Sequence, residues 1–96
     1  MNTIVKSAAV SGVEAFGVEV EVTVTSKGDG FRIAGIPINA ERESVVRIKS
    51  ALRSMGWTQR GAITVSLAPT VSGYDAALFD LPIAVGILRL TGAVKE

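Results

Sequence analysis

Residues 18–25 read Val-Glu-Val-Glu-Val-Thr-Val-Thr, an unbroken alternation with Val18, Val20, Val22 and Val24 on one face and Glu19, Glu21, Thr23 and Thr25 on the other. A helix, turning once in about 3.6 residues, would scatter those valines around its circumference. The segment is therefore a strand with one apolar and one wet face, and its valines need a second layer to cover them. Upstream, Thr3 to Val10 is β-branched and apolar, and Ser11-Gly12 supplies a bend or bulge before Val13, which predicts an antiparallel pair. Downstream, the turn Lys27-Gly28-Asp29-Gly30 leads into Phe31-Arg32-Ile33-Ala34-Gly35, which predicts a third strand joined by a hairpin.

The period then changes. Pro37 and Asn39 open a helix with Asn39 as the predicted N-cap, Glu41 and Glu43 in the first turn, and Gly56 as its stop. Val45, Ile48, Leu52 and Met55 form its apolar stripe, opposite Glu43, Arg47, Ser50 and Ser54. Ile63, Val65 and Leu67 alternate in a further strand ended by Pro69, and the intervening helix makes it parallel to the third through a right-handed crossover. After a loop over residues 70–77, Asp80 caps a last helix with Pro82 in its first turn and an end near Gly92. Leu81, Ile83, Ala84, Val85, Ile87, Leu88 and Leu90 ring almost the whole of that helix, so something besides a single sheet should cover it. The expected fold is α+β, in the order β-β-β-α-β-α, a mixed and mostly antiparallel sheet with helices on one face.

The 96 residues suffice for one small domain, and the absence of cysteine and histidine removes disulfides, thiolate nucleophiles, Ser-His machinery and sulfur or imidazole metal sites. The apolar run from Ala76 to Leu90 is interrupted by Asp80, Pro82 and Arg89, too soon for a membrane span, and residues 1–13 carry no leader pattern. A cytoplasmic chain without a membrane partner is the expectation. Gly28-Asp29-Gly30 and Gly35-Ile36-Pro37 lack the GxxxxGK[ST] spacing of a phosphate loop, so no nucleotide or metal cofactor is expected for this chain. Glu19 and Glu21 read as a solvated strand face rather than an acid-base pair.

Net charge is +1, but the middle segment, residues 27–60, carries +4 while both flanks are negative. Within it Arg42, Lys49 and Arg53 fall in a sector of about 40° on the first helix, with Arg32, Arg47 and Arg60 nearby in sequence. An exposed helix with a Glu43 to Arg47 pair accounts for much of this pattern, and a weak nucleic-acid contact through Arg42, Lys49 and Arg53 is the functional alternative. Trp57 fits a core edge better than a stacking platform.

Ser7-Ala8-Ala9-Val10-Ser11-Gly12-Val13-Glu14-Ala15, Val18-Glu19-Val20-Glu21-Val22 and Phe31-Arg32-Ile33-Ala34-Gly35-Ile36-Pro37 resemble the opening strands and corner of the N-terminal domain of Mg-chelatase-like AAA+ ATPases, the ComM-like family. Ile63 to Pro69 and Phe79 to Leu88 resemble that family's two most recognisable blocks, so the likeness covers residues 4–92. It implies a fold related to the Lon protease domain and to a domain of ribosomal small-subunit protein five, set ahead of an ATPase module in a hexameric ring. ATP and Mg are implied for that parent module and weak DNA contact for this chain, while the apolar last helix or an open sheet edge predicts its self-association. The family's domain continues with further strands, so a truncated domain or gene fragment is expected. The serine position of Lon-type peptidases falls on Leu78 and their lysine segment would lie past Glu96. The alternative, a degenerate peptidase domain, therefore lacks a working Ser-Lys dyad. After Pro69 the relatives carry Leu-Arg-Lys-Glu-Gly-Ser, where this chain has Ser72-Gly73-Tyr74-Asp75-Ala76-Ala77.

Overall fold

The alternating valines form the inner face of β2 (Glu14–Val24) in a computed structural model that describes residues 1–11, 14–72 and 75–91. β1 (Asn2–Ser11) runs antiparallel to it in unbroken register from Asn2↔Thr23 to Ser11↔Glu14. Then follow β3 (Phe31–Ala34), α1 (Ile38–Ser54), β4 (Ile63–Ala68), a single 3-10 turn over Ala76–Phe79 and α2 (Asp80–Thr91). Gly12 of the predicted bend, Gly73 and Tyr74 of the loop, and the helix stop at Gly92 lie outside the described residues.

Strand order is β1-β2-β4-β3, which corrects the expected hairpin between β2 and β3. β4 enters between them, antiparallel to β2 (Val22↔Val65) and parallel to β3 (Ile33↔Val65). Its alternating Ile63, Val65 and Leu67 are all buried, as a strand paired on both edges requires, whereas β3 is only four residues long. The link between β2 and β3 wraps the start of β4: Thr25 N–H donates to Ala62 O, Ala62 N–H to Lys27 O and Ile63 N–H to Gly30 O. Gly61 sits inside this wrap at φ +111°, and a Cβ there would overlap the Thr25 carbonyl oxygen.

One face of the sheet carries Val18, Val20, Val22, Phe31, Ile33, Ile63, Val65 and Leu67, all buried under the two helices. Each such side chain contributes about 1.5–3 kcal/mol on burial. α1 presents Ile48 and Leu52 to this core with Val45 half-buried, but Met55, expected on the stripe, is exposed because the helix has ended at Ser54. Its end is a Schellman motif, in which Gly56 N–H donates to Arg53 O and Trp57 N–H to Leu52 O. At the other end Pro37, not Asn39, holds the N-cap position, and no side chain caps the helix. Proline sets the extended entry (φ −59°, ψ 148°), which places the exposed Asn39 two residues past the cap position, inside the first turn.

α2 packs on β1, β2 and α1. Ile83, Ile87 and Leu88 are buried, Ala84, Val85 and Leu90 half-buried, and only Leu81 stands well exposed, so this chain itself covers most of the apolar ring. The close approach depends on Gly86, where a Cβ would come within 2.7 Å of Val22 Cγ2 and 3.5 Å of Val5 Cγ2.

These two glycines give ordered expectations. Gly61→Ala meets backbone in a left-handed conformation and should cost about 3 kcal/mol. Gly86→Ala meets a side chain and regains helix propensity, leaving a net loss of about 1 kcal/mol. Urea unfolding followed by circular dichroism measures both, and a Gly61→Ala chain as stable as the parent would contradict the wrap described above.

Candidate nucleic-acid interface

α1 has two flanks of different chemistry, fixed by what it packs between. Ser44, Arg47 and Ala51 share the side toward α2, while Arg42 and Lys49 lie toward β3, and helical spacing puts Arg53 on their side of α1. The flank toward α2 is neutralised. Arg47 donates from Nε to Asp80 Oδ2 at 2.6 Å and from a terminal nitrogen to Asp80 Oδ1 at 3.5 Å and to the buried Ser44 hydroxyl at 2.9 Å. The Glu43 pair expected from spacing is present only as a 3.9 Å contact. Asp80 therefore acts as the tie between helices rather than as an N-cap, because the preceding 3-10 turn runs into α2 with Asp80 already helical (φ −57°, ψ −45°).

A second ion pair holds β3. Glu41, only 6% exposed, accepts Ile33 N–H at 2.7 Å and Arg32 Nε at 2.8 Å, with a longer bond from the other guanidinium nitrogen at 3.4 Å. The hydrogen bond from Arg32 holds the Glu41 carboxyl below the usual carboxylate range against the opposing effect of burial, helped by Ile33 N–H and by the charges of Arg32 and Arg42. Since β3 pairs with β4 on its other side, this carboxylate occupies the outer edge of the sheet. The sequence marked Glu41 only as a helix-dipole residue; an acidic residue in the first turn of the helix that follows an Arg-bearing strand was the available signal.

With Arg32 and Arg47 engaged, the three predicted residues remain together. Arg42 and Arg53 are exposed and make no hydrogen bond or ion pair among the described residues. Lys49 is half-buried, with Nζ 5.8 Å from the centre of the Phe31 ring, a cation-π distance. A shallow groove of about 430 Å³ runs beside Arg42, lined also by Phe31, Arg32, Ile38, Val45, Val46 and the Arg32-paired Glu41. Ile38 and Val46 are exposed on it. The combination of free guanidinium groups and an apolar floor suits a flexible polyanion better than a small anion, for which no converging buried donors exist among the described residues.

Other features carry no chemistry of this kind. A larger open groove of about 960 Å³ lies by the half-buried Trp57 and Leu90 and the buried Leu88, with Arg60 its only charged side chain among the described lining residues. Leu78 is exposed on the turn before α2 and offers no nucleophile. Among the described residues no group of three or more acidic side chains could hold a metal ion, and no helix is long and apolar enough to cross a membrane.

Residues 20–96 match the family of subunit ChlI of Mg-chelatase. Competence protein ComM of Haemophilus influenzae is 40% identical over 86 residues, covering 88% of this chain and 17% of the relative. Protein YifB of Escherichia coli is 32% identical over 87 residues, covering 90% of this chain and 17% of that protein. Protein Mb2921c of Mycobacterium bovis is 30% identical over 84 residues, 85% of this chain and 16% of its own length. This chain thus spans about a sixth of the curated relatives it matches.

Glu41 sets an acid limb. Its depressed carboxyl contributes stability that is complete above the pKa of an unfolded glutamate and is lost as pH falls through the lower folded value. Glu41→Gln should lower stability near neutral pH by about 1 kcal/mol, since the amide oxygen still accepts Ile33 N–H but without the charge and without the ion pair to Arg32, and flatten the decline below about pH 4. Urea midpoints from pH 2 to 7 check this, with parent and variant expected to converge at the acid end.

Proposed function

This chain belongs to the family of subunit ChlI of Mg-chelatase, and from that membership we propose that it is a noncatalytic, cytoplasmic domain that assembles or positions a Mg-chelatase-like AAA+ ATPase on DNA. In this reading it stands ahead of the ATPase module of a larger protein, with a fold of the Lon-protease-domain type, and ATP and Mg belong to that module. The observation that carries the DNA contact is the stripe of Arg42, Lys49 and Arg53, left open while the neighbouring Arg32 and Arg47 are engaged by Glu41 and Asp80. The relative from Haemophilus influenzae is a competence protein, and the proposed contact with DNA is in keeping with that. A degenerate peptidase gains no support, since Leu78 stands where its nucleophile would be.

Three phosphate contacts make binding weak and blind to sequence, with a log-log salt slope of about −2 to −3. Fluorescence anisotropy with labelled DNA of unrelated sequences should show equal affinities that fall together as salt rises. Arg42→Glu, Lys49→Glu and Arg53→Glu combined should abolish the signal without loss of helix content. Sequence-selective binding that persists at high salt, or binding indifferent to the triple change, would refute the assignment.

A further inference from the structure

Among the described residues the sheet has two edges, one of them closed. At β3 the Glu41 carboxylate takes the outward Ile33 N–H, and Arg32 covers that carboxylate in turn. At β1 no described strand lies alongside. Met1 exchanges both backbone hydrogen bonds with Val24, and the register continues without interruption, so Thr3, Val5 and Ser7 bond inward to β2. The N–H and C=O groups of Asn2, Ile4, Lys6 and Ala8 consequently point outward along an unpaired edge. Ile4 is 48% exposed there, an apolar residue on the face that otherwise carries Lys6, Glu19, Glu21 and Thr23.

We propose that this edge pairs with the same edge of a second copy, β1 antiparallel to β1 about a two-fold axis through Val5, giving a continuous eight-stranded sheet. The inference adds to the assembly part of the reading above a contact that joins copies in pairs, and rests on that part alone. Charge distinguishes the registers centred on Val5, Lys6 and Ser7. Centring the axis on Lys6 would set Lys6 directly against its own copy, which like-charge repulsion disfavours. Centring it on Ser7 sets Lys6 against Ala8, beside Gly17, with no charge to meet. Centred on Val5, Lys6 of one copy lies opposite Ile4 of the other, and Ile4 is flanked on its own sheet by Glu21. The lysine stem then covers the exposed isoleucine, and its ammonium lies between Glu19 of its own copy and Glu21 of the other. On the inner face Val5, half-buried beside Gly86, meets its own copy. α2 contacts both β1 and β2, so the two α2 helices would lie roughly 10 Å apart, a normal packing distance.

Because Lys6 N–H points outward, Lys6→Pro removes a donor needed only by the second copy, and an edge strand tolerates proline at such a position. Sedimentation velocity of the 96-residue chain should show a dimer forming within hundreds of micromolar, weakened by about tenfold or more in Lys6→Pro, with the circular dichroism spectrum retained. The chain contains no cysteine, so cysteines can report the register. In Val5→Cys the two Cα atoms would lie about 4.5 Å apart, within disulfide range, and in Ala8→Cys about 20 Å apart. Oxidation should cross-link the first variant and not the second. A parent chain that stays monomeric at those concentrations, or a dimer that survives Lys6→Pro, overturns the proposal, as does cross-linking through position 8 in preference to position 5. The DNA titration is read on the same samples, so a monomer that still binds DNA removes the dimer and leaves the DNA contact standing.

Discussion

Everything in this domain is placed relative to the valine face of β2. Val20 and Val22 are fully buried because β2 is paired on both sides, by β1 and by β4, and roofed by α2 at the close distance Gly86 permits. The contact is dry and the side chains are β-branched, so neither helix can shift along the sheet without opening a void. That rigidity fixes the angle of α2, and through the Arg47 to Asp80 bond it fixes the flank that α1 turns toward its neighbour.

The two partly shielded ion pairs then sort the basic residues by function. Arg32 is bound to a carboxylate that also satisfies a buried backbone N–H, and Arg47 to one that ties two helices. Such groups hold local geometry and are poor candidates for an external anion, since recruiting them would strand Glu41 or Asp80. Arg42 and Arg53 have no such obligations among the described residues. The stripe is therefore defined as much by where the carboxylates lie as by where the arginines lie.

The periodic elements were legible because burial imposes a local pattern. The alternation of residues 18–25, the Ile48 and Leu52 stripe and the alternating Ile63, Val65 and Leu67 each appear at the face expected for them. The Arg42, Lys49 and Arg53 sector was equally legible, since helical geometry alone brings those positions together. What the pattern could not hold was pairing at a distance. Whether β3 joins β2 or β4 depends on the loop wrapped around Gly61 and on a carboxylate eight residues away from Ile33, neither of which changes the local period. Asn39 and Asp80 were misplaced for a related reason: capping preferences describe isolated helix ends, whereas here a proline entry and a preceding 3-10 turn set the boundary first.

Closing one edge of a sheet has consequences at the other. The Glu41 clamp lies beside the basic stripe, so an extended polyanion approaching that flank finds guanidinium groups and no free strand to add to. The unpaired edge of β1 is three strand spacings away, roughly 14–15 Å. Pairing there would leave Arg42, Lys49 and Arg53 uncovered on both copies, at the two outer margins of the joined sheet. A two-fold axis through Val5 would double the phosphate contacts offered to one DNA molecule only if that molecule spans both margins. A short duplex confined to a single copy would instead retain the weak salt slope of one stripe, which makes the length of DNA the variable that couples the two surfaces.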